Sequence, residues 1–284
     1  MKLVTFLHDN KEMVGVLTED GAAVRPLPFA DMNALIQASR EALLAAVKGA
    51  AATLPLSAVT LLAPIPRPRQ DVICLGINYK AHTEEAARYS SEAFTKERPI
   101  PINFSKRVTE AVAPEGDIES HPGLVERLDY EAELAVIIGK TAKNVMAEDA
   151  ADYIFGYTVL NDVSARVLQT AHKQWYFGKS LDGFTPIGPC IVTADEIVFP
   201  PALHITARVN GELRQDSTTD LLITSIADII EELSSGMTLL PGTIISTGTP
   251  SGVGMGFDPP KFLKPGDVVE CTIDGIGTLR NTVR

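Results

Sequence analysis

The sequence is poor in cysteine, and the few cysteines present exclude two classes of protein. Cys74, Cys190 and Cys271 lie far apart in the chain and are odd in number. They show neither the spacing of a zinc site nor the pattern of a disulfide framework. Isolated thiols are typical of a reducing compartment, so we expect a cytoplasmic protein with buried cysteines.

Basic residues and long apolar runs are also scarce. The chain has 25 Lys and Arg against 36 Asp and Glu, a formal net charge of −11. Nucleic-acid-binding proteins normally carry a basic surface, so this class is disfavoured, and an anionic substrate would need basic residues gathered in its site. No apolar run is long enough to span a bilayer, and the opening segment MKLVTFLHDNKE becomes charged too early for a signal peptide. We therefore expect no nucleic-acid partner and no membrane association.

Apolar residues, glycine and proline are plentiful. Hydrophobic residues make up 45% of the 284 positions, with 21 Gly and 19 Pro, which allows a sizeable core. Short apolar segments between turn residues outnumber helical ones and predict a β-rich α+β fold. The stiff run PIPRPR marks a candidate boundary. It would separate a small N-terminal α/β domain, residues 1–66, from a main domain, residues 67–284.

The stretch LDYEAELAVIIGK, residues 128–140, is the most informative part of the chain. It is short, apolar and rich in β-branched residues, so we predict a β-strand. Side chains alternate along a strand, which places Glu131 and Glu133 on one face with Cβ atoms about 7 Å apart. Two neighbouring carboxylates in an apolar strand repel each other and lose hydration, and a cation between them would relieve both costs. Ordinary charge on a solvated face is the alternative.

Two other segments carry polar residues at helical spacing. In NYKAHTEEAARY, His82 and Glu85 are three residues apart and share a helical face. In NDVSARVLQTAHKQW, interpreted as a helix, Asp162, Arg166 and Gln169 are four and three residues apart and share a face as well. The alternative for the second segment is a helix cap at Asp162 with a surface partner at Arg166.

Two loops resemble nucleotide-binding motifs without matching them. The triplet GKS at Lys179 resembles the end of a P-loop, but that motif needs glycine at Lys173, so we reject a nucleotide site. Lys179 lies near aromatic and apolar residues and is either solvated or directed into a cleft. The loop TGTPSGVGMG, residues 247–256, lacks the dinucleotide fingerprint because Phe257 stands where glycine is required. Its backbone N–H groups could still approach an anion.

These blocks together resemble the fumarylacetoacetate hydrolase superfamily. The resemblance runs from about Val72 to Val283 and is carried by GINYKAH, DYEAELAVIIGK, NDVSAR, GKSLDGFTPIGP, LLPGTIISTGTPSGVG and LKPGDVVE. Several ordered blocks across the main domain make the match specific. The resemblance implies a mixed-sheet β-roll of the fumarylacetoacetate hydrolase C-terminal type and a homodimer.

The resemblance also implies a role for each candidate residue. Glu131, Glu133 and Asp162 would hold a divalent ion, and three carboxylates without histidine or thiol suit Mg²⁺ or Mn²⁺. The other matching positions are the catalytic residues His82, Glu85 and Lys179 and the substrate-binding residues Arg166, Gln169 and Thr249. We expect the distal part of the substrate to meet the loop at residues 90–120, Trp175 and Tyr176.

Three functions follow from this implied site. In the first, the enzyme hydrolyses a C–C bond of a 2,4-dioxo acid, an acylpyruvate or diketo acid, and releases pyruvate. Glu85 orients His82, which takes a proton from water, and the pyruvate enolate leaves beside Lys179. In the second, the same site decarboxylates oxaloacetate or isomerises a 2-hydroxy-dienedioate without an attacking water. The third is a non-catalytic dicarboxylate-binding module. The His82 and Glu85 pair favours hydrolysis.

Overall fold

The structure is a computed structural model that describes residues 1–89 and 100–284. Strands predominate over helices in the described part of the chain. The strands are β1 Lys2–His8, β2 Lys11–Leu17, β3 Ala23–Pro26, β4 Leu54–Pro55, β5 Thr60–Leu61, β6 Val72–Gly76, β7 Ile102–Lys106, β8 Asp117–Ile118, β9 Leu128–Asp129, β10 Ala132–Ile138, β11 Ile154–Asn161, β12 Ser164–Ala165, β13 Ile187–Thr193, β14 His204–Val209, β15 Glu212–Thr218, β16 Ile244–Ser246, β17 Val268–Ile273 and β18 Gly277–Val283. The helices are α1 Met32–Gln37, α2 Arg40–Gly49, α3 Lys80–Tyr89, α4 Arg166–Ala171, α5 Tyr176–Lys179 and α6 Ile226–Gly236.

Two mixed sheets form the framework. The larger has the order β4–β3–β2–β1–β13–β11–β10–β16–β6–β7, with β5 beside β1. The smaller has the order β15–β14–β17–β18–β8. Each contains one parallel pair, β16 with β6 and β18 with β8, among antiparallel neighbours. The predicted strand-rich α+β fold with mixed sheets is confirmed.

Strand β10 is buried on both faces, which explains its nearly continuous apolar sequence. Leu134 and Val136 belong to the core cluster that also contains residues of the smaller sheet. Ala135 and Ile137 belong to the second cluster, on the α1 side of the large sheet. Because β10 is packed on both faces, the residues at its N-terminal end are held in a fixed position.

Residues 1–66 share the large sheet with the rest of the chain, because β1 pairs with β13 at Leu3 and Ile191. Helices α1 and α2 begin at side-chain caps, where Asp31 and Ser39 accept hydrogen bonds from backbone N–H groups. The division into domains 1–66 and 67–284 stays a prediction. In the described ranges, no helix has the length and apolar character to cross a bilayer.

Two local expectations near the candidate site are wrong. The predicted strand over residues 128–140 is interrupted between β9 and β10, so Glu131 lies just before β10. Asp162 does not lie on a helix, because α4 begins only at Arg166. Strand β12 pairs with β9 ahead of that helix, and this long-range pairing overrides the local helical spacing. This pairing brings the start of β10 next to the end of β11.

Candidate active site

The three predicted metal ligands lie together at the start of β10. Oxygen atoms of Glu131, Glu133 and Asp162 all lie within 4.8 Å of one another. The Glu131 carbonyl accepts a hydrogen bond from the Asp162 N–H at 2.8 Å. The Glu131 N–H donates to the Asn161 side-chain oxygen at 3.0 Å. All three residues are at most 5% exposed. Backbone pairing between two buried segments therefore builds the cluster.

Buried cations balance part of this charge, and Lys179 contacts two of the three carboxylates. The Lys179 Nζ lies 2.8 Å from Glu131 Oε2 and 2.6 Å from Asp162 Oδ2. Burial alone lowers the pKa of Lys179, but Asp162 and Glu131 outweigh it and raise that pKa above its ordinary value. Burial alone raises the pKa of Glu131, yet Lys179 and Arg166 hold it well below its ordinary value. Lys179 is thus an ammonium group and Glu131 a carboxylate.

Glu133 has a different environment. Its Oε2 accepts hydrogen bonds from Ser246 Oγ at 2.6 Å and from the Gly248 N–H at 2.8 Å. No cationic side chain of residues 1–89 or 100–284 lies within 4.0 Å of it. Burial, followed by the charges of Asp162 and Glu131, raises the pKa of Glu133 well above its ordinary value. A divalent cation held by these oxygens would supply the missing positive charge, so the residues fit such an ion.

Lys106 is a site residue that sequence reasoning missed. Its side chain is fully buried at the end of β7, with Nζ 2.5 Å from Asp162 Oδ1 and 3.1 Å from the Val163 carbonyl. A lysine that ends a strand is usually solvated, and nothing in INFSKR distinguishes this one. Its partner is 56 residues away in sequence, so only the folded chain identifies the pair.

Replacement of Lys106 by methionine is expected to lower the free energy of unfolding by about 3–5 kcal/mol, because it leaves the Asp162 charge buried with one cation fewer. Lys261→Met is the matched control, since Lys261 pairs with Glu212 at the surface. Exposed pairs contribute about 0–1 kcal/mol. Urea unfolding of both variants without added metal measures the difference. Equal losses would contradict a structural role for the buried pair.

Arg166 carries a donor with no observed partner. Its Nε contacts Asp129 Oδ2 at 2.8 Å, and its Nη1 contacts Glu131 Oε1 at 2.6 Å and Gln169 Oε1 at 3.1 Å. The Nη2 atom is buried and has no hydrogen-bond partner in the described part of the structure. Buried donors are normally satisfied, and Arg166 lines the cavity beside the carboxylates. This N–H is therefore suited to an anionic ligand.

Asp129 is the second site residue that sequence reasoning missed. It is fully buried and accepts hydrogen bonds from the Gly254 and Met255 N–H groups at 2.7 and 3.0 Å. Through its contact with Arg166 it ties the 247–256 loop to the arginine. Asp129 lies two residues before Glu131 in the segment LDYE, but apolar periodicity does not predict which residues it contacts.

His82 and Glu85 form the expected pair on α3. The distance from His82 Nδ1 to Glu85 Oε2 is 3.0 Å, and both residues are buried. A carboxylate can only accept, so Nδ1 donates and Nε2 remains available for proton transfer. The other Glu85 oxygen, Oε1, accepts from the Gly252 N–H at 2.9 Å. The 247–256 loop thus holds the glutamate that orients the histidine.

Gly256→Ala is expected to lower kcat about 10–100-fold, because a Cβ at this position would lie 1.8 Å from Glu85 Oε1 and 2.3 Å from its Cγ. The glutamate must then move away from His82. Gly236→Ala is the control, since a Cβ there meets no atom within 4 Å. Steady-state kinetics and melting temperatures of both variants check this. An unchanged kcat for Gly256→Ala would show that the position of Glu85 does not matter.

One cavity gathers most of the predicted residues. Those that line it are His82, Glu131, Glu133, Arg166, Gln169, Lys179 and Thr249. Glu85 and Asp162 contact this set through His82 and Lys179. Its apolar wall includes Phe104 and Trp175, whose rings are 5.2 Å apart. The expected contact of Trp175 with the distal part of the substrate stays a prediction. Tyr176 is 42% exposed and is not among the lining residues described, and residues 90–99 lie outside the described residues.

A buried histidine and three carboxylates that could hold an ion share one cavity, an arrangement that is typical of enzymes acting on small molecules. The family can be named as well. The model of the fumarylacetoacetate (FAA) hydrolase C-terminal family matches residues 71–284. The chain therefore belongs to this family, whose members are enzymes that typically use divalent metal ions.

Relatives in the family carry out different reactions. The oxaloacetate tautomerase YisK of Bacillus subtilis is 51% identical over 229 residues, which cover 80% of this chain and 74% of YisK. The solved structure of a fumarylacetoacetate hydrolase from Exiguobacterium antarcticum is 38% identical, with a TM-score of 0.86 over 100% of this chain and 99% of that one. A 2-hydroxyhepta-2,4-diene-1,7-dioate isomerase from Mycobacterium marinum is 35% identical, with a TM-score of 0.77 over 100% and 98% of the two chains.

Proposed function

We propose that this protein is a divalent-metal-dependent enzyme of 2-oxo acids that moves a proton at carbon 3 of its substrate. Its principal reaction would be the enol–keto tautomerisation of an oxaloacetate-type dicarboxylate. The observation that carries the proposal is a buried histidine, His82, which is paired with Glu85 and lines the same cavity as the three-carboxylate cluster. The reaction named for the relative that is 51% identical supports the choice of substrate.

The substrate would be held by the cluster and its cations. Glu131, Glu133 and Asp162 would bind Mg²⁺ or Mn²⁺, which when bound would act as a Lewis acid toward the 2-oxo group. The free Nη2 of Arg166 would donate to the substrate carboxylate. The Lys179 ammonium would stabilise negative charge that develops on the 2-oxygen.

Proton transfer would then run through His82. In the keto-forming direction, the enol oxygen would give its proton to a water molecule, and carbon 3 would gain one from Nε2 of His82 in its doubly protonated, imidazolium form. The imidazole afterwards recovers a proton from solvent, so one proton leaves oxygen and one joins carbon. Glu85 would hold the ring through Nδ1 and stabilise its protonated form. The chain's own residues thus supply orientation, charge stabilisation and the proton.

Hydrolysis of an acylpyruvate, the function favoured from sequence, is the second candidate, and the oriented His82 favours it too. The Nε2 would take a proton from water, the resulting hydroxide would bond to carbon 4, and the bond between carbons 3 and 4 would break. The electron pair of the broken bond would stay on carbon 3 and form the enolate of pyruvate beside Lys179. Decarboxylation of oxaloacetate would give the same enolate without a water.

Parallel assays separate these reactions. Metal-stripped protein would receive Mg²⁺ or Mn²⁺ and then enol-oxaloacetate or acetylpyruvate, with metal alone as the blank. Loss of enol absorbance without pyruvate indicates tautomerisation, and pyruvate from acetylpyruvate indicates hydrolysis. Pyruvate from oxaloacetate indicates decarboxylation. Rates equal to the metal blank with every substrate would contradict the proposed function.

We also propose that the chain forms a homodimer, which the family resemblance supports. Size-exclusion chromatography with light scattering checks this directly. A mass of two chains is expected at micromolar concentration, and a mass of one chain at all concentrations would contradict it.

A further inference from the structure

We propose that Gln215 is a positioning residue that fixes the 247–256 loop relative to the carboxylate cluster and so presents the loop's anion-binding donor to the substrate. The proposal rests on the proposed function, because it concerns how the same site binds a 2-oxo acid. Gln215 lies on β15 of the smaller sheet, and no motif in the sequence singles it out.

The Gln215 side chain connects two separate segments of the site. It is fully buried, and its Oε1 accepts a hydrogen bond from the Ala132 N–H at 3.0 Å. Its Nε2 donates to Thr249 Oγ1 and to the Pro250 carbonyl, both at 2.8 Å. The amide orientation follows from these partners, since an N–H must face the oxygen and a carbonyl must face the amide.

A third hydrogen bond closes a ring. Thr249 Oγ1 donates to the Ala132 carbonyl at 2.9 Å, so within the ring Gln215, Thr249 and Ala132 each donate one bond and accept one. Ala132 is the residue between Glu131 and Glu133. The ring thus joins the strand that carries two carboxylates to the loop that carries Thr249. Closed networks of this kind strengthen their members and fix their geometry.

This ring changes what Thr249 can offer to a ligand. A hydroxyl has one proton, and that proton is directed to Ala132 rather than to the cavity. The main-chain N–H of Thr249 has no hydrogen-bond partner in residues 1–89 and 100–284, so it is the donor left for a substrate carboxylate. The preceding N–H, of Gly248, is bound to Glu133 Oε2. Two successive N–H groups of the loop would therefore serve the carboxylate cluster and the ligand in turn.

Close packing against β15 supports the same conclusion independently. Gly252 has a φ of +101°, and a Cβ there would lie 1.9 Å from the Arg214 carbonyl oxygen. The loop backbone therefore rests directly on the strand segment that carries Gln215. Gln215 lies where it can set the position of the loop without touching the substrate.

Oxalate binding tests the proposal without turnover, because oxalate presents the same pair of oxygens as a 2-oxo acid and has no carbon 3. Calorimetry on the Mn²⁺-loaded protein would compare Gln215→Met, Thr249→Val and the double variant. Each single change is expected to weaken oxalate binding about 10-fold or more, the loss of one hydrogen bond to a charged group. The double variant is expected to bind within about 3-fold of the weaker single variant, because both changes break one ring.

Two controls and a second readout accompany this measurement. Thr249→Ser keeps the hydroxyl and serves as the conservative rescue, so it is expected to bind oxalate more tightly than Thr249→Val. Gln70→Met removes another Gln–Thr hydrogen bond, to Thr243, outside the site, and is expected to have no effect. Hydrogen exchange of peptides from the 247–256 loop is expected to rise in Gln215→Met and Thr249→Val and to stay unchanged in both controls.

Two results would overturn the proposal. Gln215→Met with wild-type oxalate affinity and wild-type loop exchange would leave Gln215 as a stability residue only. Fully additive losses would mean that the Thr249 hydroxyl acts on the ligand independently. If Gln215→Met does not fold, hydrogen exchange of the 247–256 loop in Thr249→Val and Thr249→Ser tests the proposal instead. The exchange must rise in the valine variant and not in the serine variant. Because none of these readouts requires turnover, inactivity of the wild type would contradict the proposed function and not this role.

Discussion

Glu133→Gln is expected to weaken divalent-ion binding by at least about 100-fold while leaving the metal-free protein at least as stable as the wild type. Loss of a residue that merely supports a metal ligand already costs about 10–100-fold in affinity, so loss of a ligand costs more. The stability expectation follows from the environment of Glu133. Its partners are a hydroxyl and a backbone N–H, and nearby carboxylates add repulsion. A neutral amide of the same shape removes that repulsion.

Glu131→Gln is the matched comparison. Glu131 lies within hydrogen-bond distance of Lys179 and Arg166, so its neutralisation leaves two buried cations less well paired. This variant is expected to bind the ion equally poorly but to unfold about 3–5 kcal/mol more easily than the wild type. Calorimetry with Mn²⁺ and urea unfolding in EDTA separate the two properties. A less stable metal-free Glu133→Gln, or tight Mn²⁺ binding by either variant, would contradict the assignment.

His82→Ala is expected to lower kcat about 100–10,000-fold without changing the affinity for the ion. General acid–base groups contribute rate factors of about this size. His82 lines the cavity and pairs with Glu85, and it is not one of the clustered carboxylates. A proton-transfer role therefore predicts an effect on kcat alone, whereas a structural role would also lower the melting temperature.

A second His–carboxylate pair provides the control. His204 Nε2 lies 2.6 Å from Asp216 Oδ1 on an exposed part of β14 and β15, so His204→Ala is expected to leave kcat unchanged. Glu85→Gln keeps the shape of the pair but replaces the carboxylate that accepts the His82 Nδ1 hydrogen bond with an amide, and is expected to lower kcat about 10-fold or more. Steady-state kinetics with calorimetric Mn²⁺ titrations measure both effects. If His82→Ala retained more than about a tenth of the wild-type kcat, the proton would have to move through another group.

The sequence predicted much of the framework because apolar patterning acts locally. The run at residues 132–138 predicts a buried strand, and the two glutamates at its start are visible as an anomaly in an apolar segment. The resemblance then supplied Asp162, Arg166 and Lys179, which the structure places around those glutamates. Their chemical roles stay predictions until they are measured.

Residues that act through distant partners could not be predicted in this way. Lys106, Asp129 and Gln215 are each fully buried and satisfied by groups far away in sequence, and none has a distinctive local pattern. The helical interpretation of Asp162 failed for the same reason, since pairing of β12 with β9 decides the backbone there. Such residues emerge only from tertiary contacts, because hydrogen bonds and ion pairs carry no periodicity.

Hydrogen–deuterium exchange at carbon 3 of pyruvate is the most direct test of whether this cavity enolises 2-oxo acids. Proton transfer at this carbon is common to the tautomerase, hydrolase and decarboxylase reactions, and proton NMR in D₂O follows it without a coupled assay. We expect loss of the methyl signal only when wild-type protein and Mg²⁺ or Mn²⁺ are both present, and not with Glu133→Gln or His82→Ala. Exchange no faster than with the metal ion alone would contradict the claim that this cavity enolises 2-oxo acids.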